Sequence, residues 1–63
     1  MKYRDVIKQI EAAGWILETT KGSHMQYAHP TLPGKVTVPG GGKLNRDVPP
    51  KTLNSIFRQA GLK

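Results

Sequence analysis

The stretch Trp15-Ile16-Leu17-Glu18-Thr19-Thr20-Lys21-Gly22-Ser23-His24-Met25-Gln26-Tyr27-Ala28-His29 decides the fold. Its first six residues are mostly aromatic, aliphatic or β-branched, which is the composition of a strand. Lys21-Gly22-Ser23 is a turn signal. His24 to His29 then predicts a second strand. Alternation along it puts Met25 and Tyr27 on one face and His24 and Gln26 on the other. One side of this hairpin needs cover and the other does not.

Working outward, Pro30-Thr31-Leu32-Pro33-Gly34 reads as a hairpin loop. Lys35-Val36-Thr37-Val38-Pro39 reads as a third strand with both valines on one face. The links are short, so the strands should pair antiparallel in sequence order. Upstream, Tyr3, Val6, Ile7, Ile10 and Ala13 recur at helical spacing, which predicts a helix over about Lys2 to Ala13. Gly14 stands where a left-handed helix stop is usual. Downstream, Gly40 to Asp47 reads as a flexible loop, and Val48-Pro49-Pro50 stiffens the chain. Leu53, Ile56, Phe57 and Ala60 form a second helical stripe, with a proline accepted in its first turn and Gly61 as its stop. The class is therefore α+β, in the order α-β-β-β-α. Two helices with one apolar stripe each should cover one face of a three-stranded antiparallel sheet. The other face is left to solvent or to a partner. Double-stranded RNA-binding domains share this order, although topology alone does not fix function.

The 63 residues allow one domain, residues 1–63. A chain of this size buries only about 60% of its unfolded surface, so its stability is marginal. There is no cysteine, which excludes disulfides and thiolate metal sites. Two histidines and four carboxylates form no recognised metal motif. Association with a second copy or with another protein is thus an expected source of stability. No signal-peptide pattern follows Met1, and no apolar run approaches the ~18 residues of a membrane span. The expectation is a soluble cytoplasmic protein.

The net charge is +6, which points to polyanions. Its distribution is informative. No carboxylate occurs between Glu18 and Asp47, a stretch that holds Lys21, Lys35, Lys43, Arg46 and both histidines. RNA can be cleaved without a metal because its own 2′-hydroxyl is a nucleophile. A base must take the hydroxyl proton, and histidine suits that work because its unperturbed pKa is about 6.5. Positive side chains or backbone N–H groups must oppose the charge on the phosphorane. His24 follows Lys21-Gly22-Ser23, so a base, a cation, a hydroxyl and a backbone open to close approach lie together. Lys35, Lys43, Arg46 and Lys51 are further candidate phosphate contacts, though each is also an ordinary surface charge. His29 precedes Pro30 and falls on the opposite strand parity from His24, so its simplest role is to end the strand and hydrogen-bond into the loop. Trp15 and Tyr27 could stack on bases, but a chain this short needs them in its core.

These residues together resemble the HicA family of toxins from toxin–antitoxin systems. The resemblance runs over nearly the whole chain. It includes Gly14-Trp15, a G-[SG]-H element as Gly22-Ser23-His24, Tyr27, His29-Pro30, Val36-Thr37-Val38-Pro39, Thr52-Leu53-Asn54-Ser55-Ile56 and Gln59-Ala60-Gly61-Leu62. It implies a fold like a double-stranded RNA-binding domain and a toxin that cleaves mRNA, arresting translation, with no cofactor. It also implies that the histidine of the G-[SG]-H element, here His24, is required. A HicB antitoxin would bind the toxin and cover its active site, giving a hetero-oligomer. The glycine-rich run Gly40 to Asn45 departs from the pattern. On these grounds His24 is the candidate catalytic residue, Lys21, Gly22, Ser23 and Lys35 are candidate RNA contacts, and no metal is expected. Two other functions fit the basic chain: a non-catalytic RNA-binding module, and a protein-interaction domain that meets acidic proteins.

Overall fold

In the computed structural model, residues 1–40 and 43–62 are described. Gly41 and Gly42, in the glycine-rich loop, and Lys63 lie outside the described residues. The elements are α1 (Tyr3–Ala12), β1 (Ile16–Lys21), β2 (His24–Ala28), β3 (Lys35–Val38) and α2 (Pro50–Gln59). The three strands form one sheet in the order β1-β2-β3, antiparallel throughout. This is the α-β-β-β-α order expected from the sequence.

One face of the sheet is covered. Tyr3, Val6, Ile7 and Ile10 of α1 and Ile56 of α2, with Ala60 at its end, meet Tyr27, Val36 and Val38 of the sheet. Tyr27, Ile10, Ile56, Val6, Val36 and Val38 are fully buried. Such side chains contribute about 1.5–3 kcal/mol each over leaving them in water. Tyr27 pairs with Val36, and Met25 pairs with Val38. Opposed residues of an antiparallel pair share a face, so Met25 and Tyr27 point to the core as alternation predicts. Burial, and after it the Glu11 carboxylate, push the Tyr27 phenol above its ordinary pKa.

Trp15 is not a strand residue, as the sequence suggested, but part of the stop of α1. Gly14 N–H bonds to Glu11 O at 2.9 Å and Trp15 N–H to Ile10 O at 3.1 Å. With Gly14 at φ +100°, this is a Schellman motif. α2 ends the same way through Gly61 and Leu62, whose N–H groups reach Arg58 O and Phe57 O. The start of α1 has no side-chain cap. Instead, the returning loop accepts its free donors: Tyr3 N–H bonds to Arg46 O and Arg4 N–H to Leu44 O. Val48 N–H completes the seam on Met1 O, and Val48 is buried beneath it.

A bulge interrupts β1 between Leu17 and Thr19. Before it, Leu17 opposes Tyr27. After it, Thr19 opposes Gln26, Thr20 opposes Met25 and Lys21 opposes His24. One extra residue reverses the parity of the rest of the strand. Lys21 therefore shares the open face with His24.

His29 is a structural residue just past β2. Its Nδ1 accepts from Thr31 N–H at 3.1 Å and Leu32 N–H at 3.2 Å. Those two donors leave the ring proton on Nε2, which donates to Ala13 O at 2.9 Å. The ring also meets Trp15 edge-on, with centroids 5.1 Å apart. A Cβ on Gly14 would lie 2.6 Å from His29 Nε2. Gly14→Ala should accordingly cost more than about 1 kcal/mol of stability in urea denaturation. His29→Ala should cost less in that background than alone, because the clash couples the two positions.

Candidate functional site

Sheet geometry fixes where His24 points. It opens β2, on the face opposite Met25 and Tyr27, and it is exposed. Gly22 and Ser23 form a two-residue turn between its strand and β1. Only the first of them has a positive φ, +59° at Gly22, which is the pattern of a type II′ hairpin. The tight turn places Lys21 directly across from His24, with their Cβ atoms about 5 Å apart. The G-[SG]-H element is thus the tip and first residue of a closed hairpin.

The second wall comes from α2. Its buried side, Ile56 with Ala60 just beyond the helix, lies against the core and β3. On its flank, Lys51, Thr52, Ser55 and Gln59 recur at one-, three- and four-residue steps and form a polar stripe. These four residues, with His24, Thr37, Pro39 and the edge of Ile56, line an open cleft of about 370 Å³. That volume is within the range of small-ligand sites. Among the described residues no Asp or Glu lines it, and Lys51 is its one fixed cation.

The joint between α2 and the sheet is a side-chain bridge. In the pairing of β2 with β3, Gln26 opposes Thr37. Thr37 N–H turns away from β2 to the free edge of β3 and donates to Gln59 Oε1 at 3.0 Å. The Gln59 amide in turn donates to Ser55 Oγ at 3.1 Å. Beside this bridge, at the same C-terminal end, α2 is tied down by Trp15, whose Nε1–H donates to Ala60 O at 3.2 Å. The same contacts cover an edge that would otherwise invite pairing with another strand.

The residues singled out from the sequence divide into two groups. Lys21, Gly22 and Ser23 are adjacent to His24. Lys35 is not: it opposes Ala28 at the other end of β2, about 13 Å along the strand from His24. It is ion-paired with Glu18 across the sheet. Lys43 and Arg46 belong to the loop beside the start of α1. The α2 stripe was missed as a unit. Its helical spacing is visible in the sequence, but nothing there shows that this flank lies along β3 beside His24. Among the described residues no three His, Asp or Glu side chains come together as a metal site. No helix among them is long and apolar enough to cross a membrane.

Comparison with known proteins adds one finding. The family model described as HicA toxin of bacterial toxin-antitoxin matches residues 3–62. No individual curated protein matches the sequence.

If Gln59 is the bridge to the sheet edge, its loss should be felt locally. In Gln59→Ala, amide hydrogen exchange at Thr37 should quicken selectively, while the amides of β2 keep their protection. Unchanged exchange at Thr37 would show that the bridge is not held in solution.

Proposed function

Because the chain belongs to the HicA family, toxins of bacterial toxin–antitoxin pairs, we propose that it is a metal-independent endoribonuclease that cleaves mRNA and so inhibits translation. Its neutralising partner in this reading is a HicB-like antitoxin. One observation supports the chemistry best: His24 and Lys51, from different elements, line one cleft with neutral hydrogen-bonding side chains and, among the described residues, no carboxylate. A polyanion can enter such a cleft without meeting like charge.

The proposed reaction uses the nucleophile that RNA carries. His24 takes the proton of a 2′-hydroxyl as that oxygen attacks the adjacent phosphorus. The bond from phosphorus to the 5′-oxygen breaks, leaving a 2′,3′-cyclic phosphate on one fragment and a 5′-hydroxyl on the other. The cleft is open, so water protonates the leaving oxygen and takes back the proton held by His24. Lys21 and Lys51 oppose the charge that accumulates on the phosphorane, as do the backbone N–H groups near Gly22 and Ser23. Lys35, distant and paired with Glu18, has no part in this step.

The same features suit inhibition. An antitoxin that laid carboxylates into the cleft and over the adjacent hairpin tip would pair with Lys51 and Lys21 and exclude RNA by occupancy and by charge. His24 is exposed at a hairpin tip, so a partner could cover it without disturbing the core.

The test is cleavage of a defined single-stranded mRNA by the purified chain in excess chelator. The wild type should cleave, and His24→Ala, confirmed as folded, should lose at least about a hundredfold in rate. Equal cleavage by both would place the chemistry on another group. Binding by both without cleavage would replace the enzyme with an RNA-binding module.

A further inference from the structure

The contacts of Gln59 fix the direction of a third group. A backbone N–H only donates, so the bond from Thr37 N–H assigns the side of Gln59 facing β3 as its oxygen. The NH₂ must then face the other way, and it donates to Ser55 Oγ. One of the two lone pairs of the Ser55 oxygen is thereby occupied. Its own proton is left to donate, and the Gln59 contact is the one hydrogen bond its side chain makes among the described residues. Ser55 lines the same cleft as His24 and Lys51.

We infer that Ser55 contacts the substrate, donating its hydroxyl proton to a non-bridging phosphate oxygen of single-stranded RNA, and that Gln59 is the positioning residue that orients the hydroxyl and leaves its proton free. The inference rests on the ribonuclease reading and adds to it the group that orients the phosphate. A phosphodiester oxygen accepts and never donates, so an oriented hydroxyl whose proton is free is matched to it. Lys51 and Ser55 then divide the work. Lysine supplies charge with little direction. Serine supplies direction with no charge. The division leaves a signature in salt. Each phosphate charge of a single strand neutralised by a lysine adds about 0.7 to the slope of log affinity against log salt. A neutral donor adds affinity that is the same at every salt concentration.

The experiment measures affinity for a single-stranded RNA carrying 2′-O-methyl riboses, which block cleavage, at several salt concentrations. Wild type, Ser55→Ala, Ser55→Thr and Gln59→Met are compared, with cleavage of unmodified RNA measured beside them. Ser55→Ala should weaken binding about ten- to hundredfold, the range for a hydrogen bond to a charged group, with the salt slope unchanged. Ser55→Thr should restore it, since the hydroxyl returns. Gln59→Met should lose part of the affinity, again without a change in slope. Wild-type affinity and cleavage in Ser55→Ala would overturn the inference and leave the ribonuclease standing. A loss with an altered slope, or one that threonine does not repair, would also overturn it, because either points to disturbance of the helix. Wild-type affinity in Gln59→Met would remove the positioning role. A wild type that neither binds nor cleaves RNA would overturn the ribonuclease and this inference together.

Discussion

The hydrogen bond from the Trp15 indole to Ala60 O holds the structure in its working shape. Trp15 is buried directly after the stop of α1, against His29 and the core. Its single donor reaches the last turn of α2. Three segments far apart in sequence meet there: the end of α1, the loop after β2 and the end of α2. A 63-residue chain without cysteine has few other means of fixing a helix against a sheet edge. The bridge from Gln59 to Thr37 then sets the flank of α2 along β3. Ile56 keeps the helix on the core, and the two ties set its polar stripe beside His24.

Much of this was legible in the sequence because it depends on period and local stops. The alternation of His24, Met25, Gln26 and Tyr27 determines which face each occupies, and the glycines after each helix mark the ends. The residues that sequence alone misplaces are those whose position depends on distant contacts. Trp15 has strand composition, yet the Schellman stop of α1 claims it. The bulge at Glu18 has no signal of its own in Leu17-Glu18-Thr19. It is required because a two-residue turn must pair Lys21 with His24 while Leu17 still opposes Tyr27. Lys35 follows a hairpin loop, as Lys21 precedes a turn, but the antiparallel return of β3 carries it to the far end of the sheet. Ser55 and Gln59 look like ordinary polar helix positions until α2 is laid against the edge of β3.

The arrangement explains how so small a protein can serve as the toxin of a toxin–antitoxin pair. Its buried apolar side chains form one core on one side of the sheet. Under the proposed function, the other side and the α2 flank are left for chemistry that asks little of the protein. RNA brings the nucleophile, water in an open cleft closes the proton balance, and the chain supplies one base, two cations and an oriented hydroxyl. The same exposure makes the site easy for an antitoxin to cover.

The central claim is that RNA occupies the cleft between the start of β2 and the flank of α2. Amide chemical-shift mapping by NMR, during titration with a short single-stranded RNA blocked by 2′-O-methylation, tests it most directly. The account predicts shifts concentrated at Lys21 to His24, Thr37, and Lys51 to Gln59, with Lys35 and the Ile16–Glu18 end of the sheet nearly unmoved. Shifts confined to that far end, or spread evenly over the basic surface, would contradict it.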